Sequence, residues 1–275
     1  MPKVSRSALK KTADVVKSLK ARPARENGGK KTFQESTQAV LSPLTPQMII
    51  VELRGKFNTQ KNEIEAKRMK KYMRDQFAYI GLWTPQRKEL SSEALSSCSE
   101  FNQVQLHQLL RLLWEEPERE YQLFALDCMY KYRKVLSGHS EKDSLESLMV
   151  VKELITTKSW WDTVDMLASK VVGDLVAAHR TAFTLIMDEW IQDEHLWLRR
   201  TAILHQLNYK QKTNQQLLFK YCLMCADEED FFIRKAVGWS LRNYFRTNAT
   251  AVKTFVKSNK DKLSPLSKKE ALKHA

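Results

Sequence analysis

Four short segments with similar patterns of aromatic, aliphatic and charged residues recur along this chain at nearly constant spacing. The matched positions Tyr121, Trp160, Leu198 and Ile233 are separated by 39, 38 and 35 residues. A period of this size accommodates two helices and their connecting turns. Only seven glycines and seven prolines occur among the 275 residues, so few residues interrupt a helical pattern. The repeats therefore predict a chain built from stacked helix pairs.

Helix-pair repeats of this length are typical of HEAT and armadillo proteins, in which neighbouring units bury each other's apolar faces. We therefore predict an all-α fold over residues 46–275, a HEAT/armadillo-like helical-repeat solenoid with a concave basic groove. Acidic clusters precede three of the four matched segments, at 115–118, 193–194 and 227–230. Because carboxylates stabilise the positive end of a helix dipole, these clusters are predicted to mark helix starts rather than a metal site.

The net charge of +14 favours an acidic partner, with nucleic acid first and an anionic membrane surface second. Residues 1–45 are rich in Lys, Arg and Ser and are predicted to form a mostly disordered arm. A nuclear-localisation patch, a DNA-holding tail, an organelle transit segment and a plain linker all fit this arm. No apolar stretch is long enough to span a membrane. We expect an intracellular protein without membrane contact, nuclear if the source is eukaryotic and otherwise cytoplasmic.

Motifs for metal, nucleotide or acyl-transfer chemistry are missing from the sequence. It contains no Gly-rich phosphate loop, HExxH or GxSxG pattern. Cys222 and Cys225 form a Cys-x-x-Cys pair, but within a helical pattern and without a second pair. A buried, inert role is therefore favoured over zinc or redox chemistry for this pair. We expect neither a metal nor a cofactor.

Three neighbouring repeats place aromatic, cationic and anionic residues where they could share one groove. The first of these repeats contributes Trp161 and Asp165, the second contributes Arg200, and the third contributes Trp239 and Arg242. Guanidinium groups pair with phosphates, and indole rings pack on sugars. A carboxylate beside DNA repels phosphates, so a protein that only binds DNA gains little from Asp165. An enzyme that cleaves an N-glycosidic bond gains more, because an anion stabilises the positive charge that develops on the sugar.

Each of these residues also has a purely structural interpretation. Trp160 is expected in the core, and core packing would explain Trp161 or Trp239 if either stood alone. Asp165 alone could be the ion-pair partner of an arginine in the next repeat, and Asp162 could be such a partner or a first-turn residue. Only their combination in one repeat register favours a functional site.

The strings SWWDTVD at 159–165 and FFIRKAVGWSLR at 231–242 resemble the AlkD-like DNA alkylation repair family. Members of this family are DNA glycosylases built from HEAT-like repeats. The resemblance runs from about Met48 to the end of the chain and includes WLRRTAIL at 197–204. It implies hydrolysis of the N-glycosidic bond of cationic alkylated purines, such as N3- and N7-alkylpurines, in double-stranded DNA.

By motif, the resemblance assigns Asp165 as the catalytic carboxylate and places Trp161 and Trp239 against the deoxyribose of the lesion. It also implies that Arg200 and Arg242 hold the DNA backbone. The partner is then double-stranded DNA with alkylated bases, and a monomer is expected.

Tyr72 matches a tyrosine in the family's first helices and is expected to line the same groove and contact DNA. Two other classes of protein compete with the glycosylase interpretation. One is a non-catalytic HEAT-repeat protein that binds DNA or branched nucleic acid. The other is a protein-binding scaffold, whose DNA association would be weak, salt-sensitive and indifferent to damage.

Overall fold

A computed structural model of the chain describes residues 45–96 and 101–274. The predicted arm over residues 1–45 lies outside this part, except for Thr45, whose side chain caps the first helix. In chain order the α-helices are α1 (Pro46–Thr59), α2 (Glu63–Tyr72), α3 (Thr84–Ser96), α4 (Gln103–Glu115), α5 (Arg119–Lys131), α6 (Arg133–Ser137), α7 (Glu141–Thr156), α8 (Trp161–Met166), α9 (Gly173–Ala178), α10 (Arg180–Trp190), α11 (Leu196–Leu204), α12 (Gln215–Met224), α13 (Phe231–Phe245), α14 (Ala249–Ser258) and α15 (Pro265–Ala271).

Two helical segments of other types complete the described structure. A π-helical segment, Leu167–Val172, joins α8 to α9, and a 3-10 turn, Lys210–Lys212, precedes α12. Among the described residues there is no strand, only an isolated bridge between Ala78 and Glu118. The all-α prediction is therefore confirmed.

The helix pairs follow the predicted repeat. Each matched segment lies at the start of the second helix of a pair, in α5, α8, α11 and α13. These second helices pack in series, α5 on α8, α8 on α11, α11 on α13 and α13 on α15. First helices do the same where α1 meets α4 and α4 meets α7. Stacking of equivalent helices is what a helical-repeat solenoid requires.

The acidic clusters before the second helices have structural partners. Asp230 caps α13 by accepting hydrogen bonds from the backbone N–H groups of Phe232 and Ile233. Glu116 is buried and accepts two hydrogen bonds from the guanidinium of Arg54. Asp230 thus serves a helix start, as the sequence predicted, whereas the pairing of Glu116 with a cation of another helix was not predicted.

The core is a continuous row of apolar side chains between the helix layers, and it includes the Cys-x-x-Cys pair. Cys222 and Cys225 are buried, and burial raises the pKa of each thiol to about 12. Thiols with such pKa values hold almost no thiolate at neutral pH, so they are inert packing residues. No helix in 45–96 or 101–274 has the length and apolar character that crossing a membrane requires.

Candidate active site

The site is built around the start of α8. Trp160 precedes the helix in an extended conformation, and its ring packs on the rings of Trp197 and Phe232 at centroid distances of 5.9 and 5.2 Å. Trp160 is therefore a packing residue, as expected; it is partly buried and occupies the N-cap position of α8 without a side-chain capping hydrogen bond. The wholly buried Val164 anchors the helix. Trp161 is the first residue of α8 and turns away from this cluster toward the groove.

Asp165 is held by an arginine of the next repeat. The Arg200 Nε donates to Asp165 Oδ1 at 2.7 Å, and its Nη2 donates to Oδ2 at 2.8 Å. A third Arg200 hydrogen bond goes from Nη1 to the backbone carbonyl of Phe232 in α13. This two-pronged geometry fixes the orientation of the carboxylate and joins three successive repeats.

Burial makes the Asp165 carboxylate harder to ionise. It raises the pKa of Asp165 above the ordinary aspartate value, an effect that Arg200 opposes and the negative charge of Asp162 reinforces. A carboxylate in such a poorly solvated position acts more strongly on a nearby positive charge than one in water. The site can therefore stabilise a cation that forms beside it.

Asp165 opens onto a cavity of about 270 Å³. The five predicted residues that line it are Trp161, Asp165, Arg200, Trp239 and Arg242. They come from α8, α11 and α13, so the repeat register brings them together as expected.

Tyr72, the sixth predicted residue, reaches the site from the end of α2. Its ring meets Trp161 edge to face, with centroids 6.0 Å apart and an interplanar angle of 77°. Its side chain is mostly exposed. Tyr72 thus adjoins the cavity through Trp161 and extends the aromatic surface toward the first helices of the solenoid.

Four further cavity residues were not predicted as site residues: Phe231, Phe232, Lys235 and Glu270. Phe231 is exposed at the start of α13. Lys235 lies one helical turn before Trp239, so the helical spacing could have indicated it. Glu270 belongs to α15, about thirty residues further along the chain, and no local pattern indicates its position.

The backbone changes form immediately after Asp165. The π-helical segment Leu167–Val172 begins two residues later, and the Ser169 hydroxyl donates to the Asp165 carbonyl at 2.7 Å. Such wide turns often occur at functional sites. Among the described residues, no group of three or more His, Cys, Asp or Glu side chains could hold a metal ion.

Comparison with known proteins gives consistent results. The family described as "DNA alkylation repair enzyme" matches residues 53–275. A solved structure described as a predicted DNA alkylation repair enzyme from Enterococcus faecalis is 36% identical, with a TM-score of 0.70. The match covers 78% of this chain and 96% of that one. The comparison with curated proteins returns no match.

Two more distant structures share the fold. AlkD2 from Streptococcus mutans is 17% identical, with a TM-score of 0.54, and the match covers 76% of this chain and 98% of that one. The protein smu.31 from Streptococcus mutans UA159 is 18% identical, with a TM-score of 0.53, and the match covers 68% and 92%.

Fold, site and comparisons together define a helical-repeat protein of DNA repair. More specifically, the chain belongs to the DNA alkylation repair enzyme family, because the family match spans most of its length.

Proposed function

We propose that this member of the family is a DNA glycosylase that releases cationic N3- and N7-alkylpurines from double-stranded DNA. The observation that carries the proposal is Asp165, an oriented and poorly solvated carboxylate in a cavity that also holds two indoles and cationic side chains. The proposed enzyme acts as a monomer and without a cofactor.

In the proposed reaction, the bond between C1′ of the deoxyribose and the purine nitrogen breaks. Its electron pair leaves with the base and neutralises the positive charge of the alkylated ring. The sugar passes through an oxocarbenium-like state that the Asp165 carboxylate stabilises. Water then adds to C1′, and one proton is released. Because the base is already cationic, it leaves without prior protonation.

The aromatic and cationic side chains have supporting roles. Trp161 and Trp239 line the cavity and are proposed to pack against the deoxyribose, with Tyr72 flanking Trp161. Arg242 is proposed to contact a backbone phosphate. Exclusion of water by the indoles would strengthen the attraction between carboxylate and sugar.

The hydrogen bonds of Arg200 support a more specific role for this residue than contact with the DNA backbone. Three of its five N–H groups serve Asp165 and the Phe232 carbonyl, and the residue is only 4% exposed. We propose that it mainly orients Asp165, and that any backbone contact uses the remaining two N–H groups. Its predicted contact with DNA stays a prediction.

A second candidate is a repair protein that binds DNA without cleaving it. The observation in its favour is the same two-pronged Asp165–Arg200 pair, because such a pair can also serve only to join repeats. The two candidates differ in one measurable product, the free base.

The proposal is tested with a duplex that carries one N7-methylguanine and a matched duplex without it. Protein in excess is incubated with each duplex in the presence of a chelator, and free base is measured by mass spectrometry. We expect N7-methylguanine to be released from the lesion duplex and no guanine from the control. Tight binding of the lesion duplex without release of the base would favour the second candidate.

A further inference from the structure

The cavity contains a second carboxylate, Glu270, that the proposed reaction does not use. Lys235 Nζ lies 2.8 Å from Glu270 Oε1, and Arg242 Nη1 lies 2.6 Å from Glu270 Oε2. The two cations hold the pKa of Glu270 below its ordinary value. Each carboxylate oxygen therefore faces one cation of α13, in the manner of an anion bound between two donors.

The fold places Glu270 there through a close approach of α15 to α13. Gly238 lies between Lys235 and Arg242 on α13, and a Cβ added to it would stand 2.5 Å from the Cβ of Glu270 and 2.9 Å from the carbonyl oxygen of Ser267. Only glycine permits this approach. Backbone packing thus fixes the Glu270 Cβ beside Lys235 and Arg242, while rotation about the side-chain bonds can move the carboxylate away from these cations.

Arg242 also borders a second, more cationic space. A cavity of about 230 Å³ adjoins it on the far side of Trp239 and is lined by Arg246, Lys273 and His274 as well. None of the described residues that line this second cavity carries a carboxylate. A backbone that passes Trp239 would therefore meet cations of both cavities, two of which are paired with Glu270.

We infer that Lys235 and Arg242 form one binding site for a DNA backbone phosphate, and that Glu270 occupies this site in the free protein. The inference rests on the proposed DNA substrate. A phosphodiester and a carboxylate both accept hydrogen bonds from lysine and arginine, but two anions repel each other at one site. Binding of DNA thus exchanges Glu270 for a phosphate, which lowers the affinity for every duplex, damaged or not.

Affinity for an undamaged duplex tests the exchange without reference to base release. Glu270→Gln removes the competing charge and is expected to tighten binding by about fivefold, as measured by fluorescence anisotropy. The matched control is Glu153→Gln, because Glu153 pairs with Arg111 on the first helices and the change alters the net charge equally. The control is expected to stay within about twofold of the wild type.

Weaker binding by Glu270→Gln would overturn the inference, because Glu270 would then serve to aim Arg242 at DNA. A gain no larger than that of Glu153→Gln would also overturn it. Failure of the wild type to release bases would leave these affinity results unaffected, so the two proposals can fail separately.

Lys235 supplies the second arm of the test. Lys235→Met is expected to weaken binding by about tenfold and to lower the slope of log affinity against log salt by about one. Its control is Lys220→Met on α12, where Lys220 pairs with Asp188. An unchanged slope for Lys235→Met, with circular dichroism showing a folded protein, would contradict the phosphate site.

Discussion

Two ion pairs of the same chemistry lie one turn apart on α8, yet their surroundings differ. Asp162 is bound at both oxygens by Arg119, and Asp165 is bound at both oxygens by Arg200. Arg119 is fully enclosed, bonds also to the Lys158 carbonyl and the Thr163 hydroxyl, and stacks on an aromatic ring. Asp162 lines a separate cavity of about 1140 Å³, whereas Asp165 and Arg200 line the smaller cavity that also holds Trp161 and Trp239.

The contrast shows that an ion pair does not by itself identify an active site. Both pairs join neighbouring repeats, and without the family resemblance the sequence allows an ion-pair role for either aspartate. Asp165 differs in what lies on its open side, where two indoles and two further cations line the cavity. We therefore propose a structural role for Asp162 and a chemical role for Asp165.

The largest expected effect is a loss of stability when the Asp162–Arg119 pair is broken, because Arg119 is fully enclosed. Asp162→Ala leaves the buried Arg119 without its counter-ion and should lower the free energy of unfolding by about 3–5 kcal/mol. Asp165→Ala should cost somewhat less, about 2–3 kcal/mol, because the Arg200 and Asp165 side chains are slightly more exposed than those of Arg119 and Asp162. Urea unfolding of the two variants measures the difference. Equal losses would mean that the cavity does not distinguish the pairs.

Substitutions at the adjacent residues Trp160 and Trp161 should likewise differ, one affecting mainly stability and the other mainly base release. Trp160→Leu removes a packed ring and is expected to destabilise the fold by about 2–3 kcal/mol, with base release by the folded fraction largely retained. Trp161→Leu should reduce release by about tenfold, or about 1.4 kcal/mol, with a smaller effect on stability. Unfolding curves and single-turnover release on the same preparations test this. If Trp160→Leu reduced base release and Trp161→Leu mainly reduced stability, the roles proposed for the two rings would be wrong.

The pH dependence of release should report Asp165. Because its pKa is raised by burial, the rate should fall on acidification with an apparent pKa above that of an ordinary aspartate, and this acid limb should be missing in Asp165→Asn. The folded protein binds this proton more tightly than the unfolded chain does. Protonation of Asp165 therefore favours the folded state, and its stability contribution is lost as the pH rises through the raised pKa. If the rate fell with the apparent pKa of an ordinary aspartate, or if the fall were retained in Asp165→Asn, another group would be responsible for it.

Substitution of Tyr72 should give the smallest effect on base release. Tyr72→Leu loses an exposed edge-to-face contact with Trp161 and is expected to reduce release by about twofold to threefold, which corresponds to about 0.5 kcal/mol. Tyr72→Phe keeps the ring and serves as the control. If Tyr72→Phe lost as much as Tyr72→Leu, the hydroxyl rather than the ring would be the contributing group.

Much of the fold could be predicted because the repeat appears locally in the sequence. The spacing of Tyr121, Trp160, Leu198 and Ile233 places the starts of four second helices, and the register then brings five of the six predicted residues to one cavity. Helical periodicity and repeat spacing are properties of short segments, so they can be recognised before any contact is known.

The remaining features depend on contacts between distant segments. Glu270 reaches the cavity because Gly238 permits α15 to approach α13, and neither residue has a local signature of this contact. The π-helical segment Leu167–Val172 follows Asp165 within an ordinary helical pattern. Whether Arg200 would face DNA or Asp165 was likewise decided by packing between repeats.

We propose that Asp165, and not its neighbour Asp162, provides the chemistry of base release. This is tested by comparing Asp165→Asn with Asp162→Asn, two isosteric changes one turn apart, in single-turnover release of N7-methylguanine from a saturated duplex. We expect at least about a tenfold loss for Asp165→Asn, which corresponds to about 1.4 kcal/mol, and less than about a threefold loss for folded Asp162→Asn. Equal losses in the two variants, or no loss in Asp165→Asn, would show that Asp165 does not have this role.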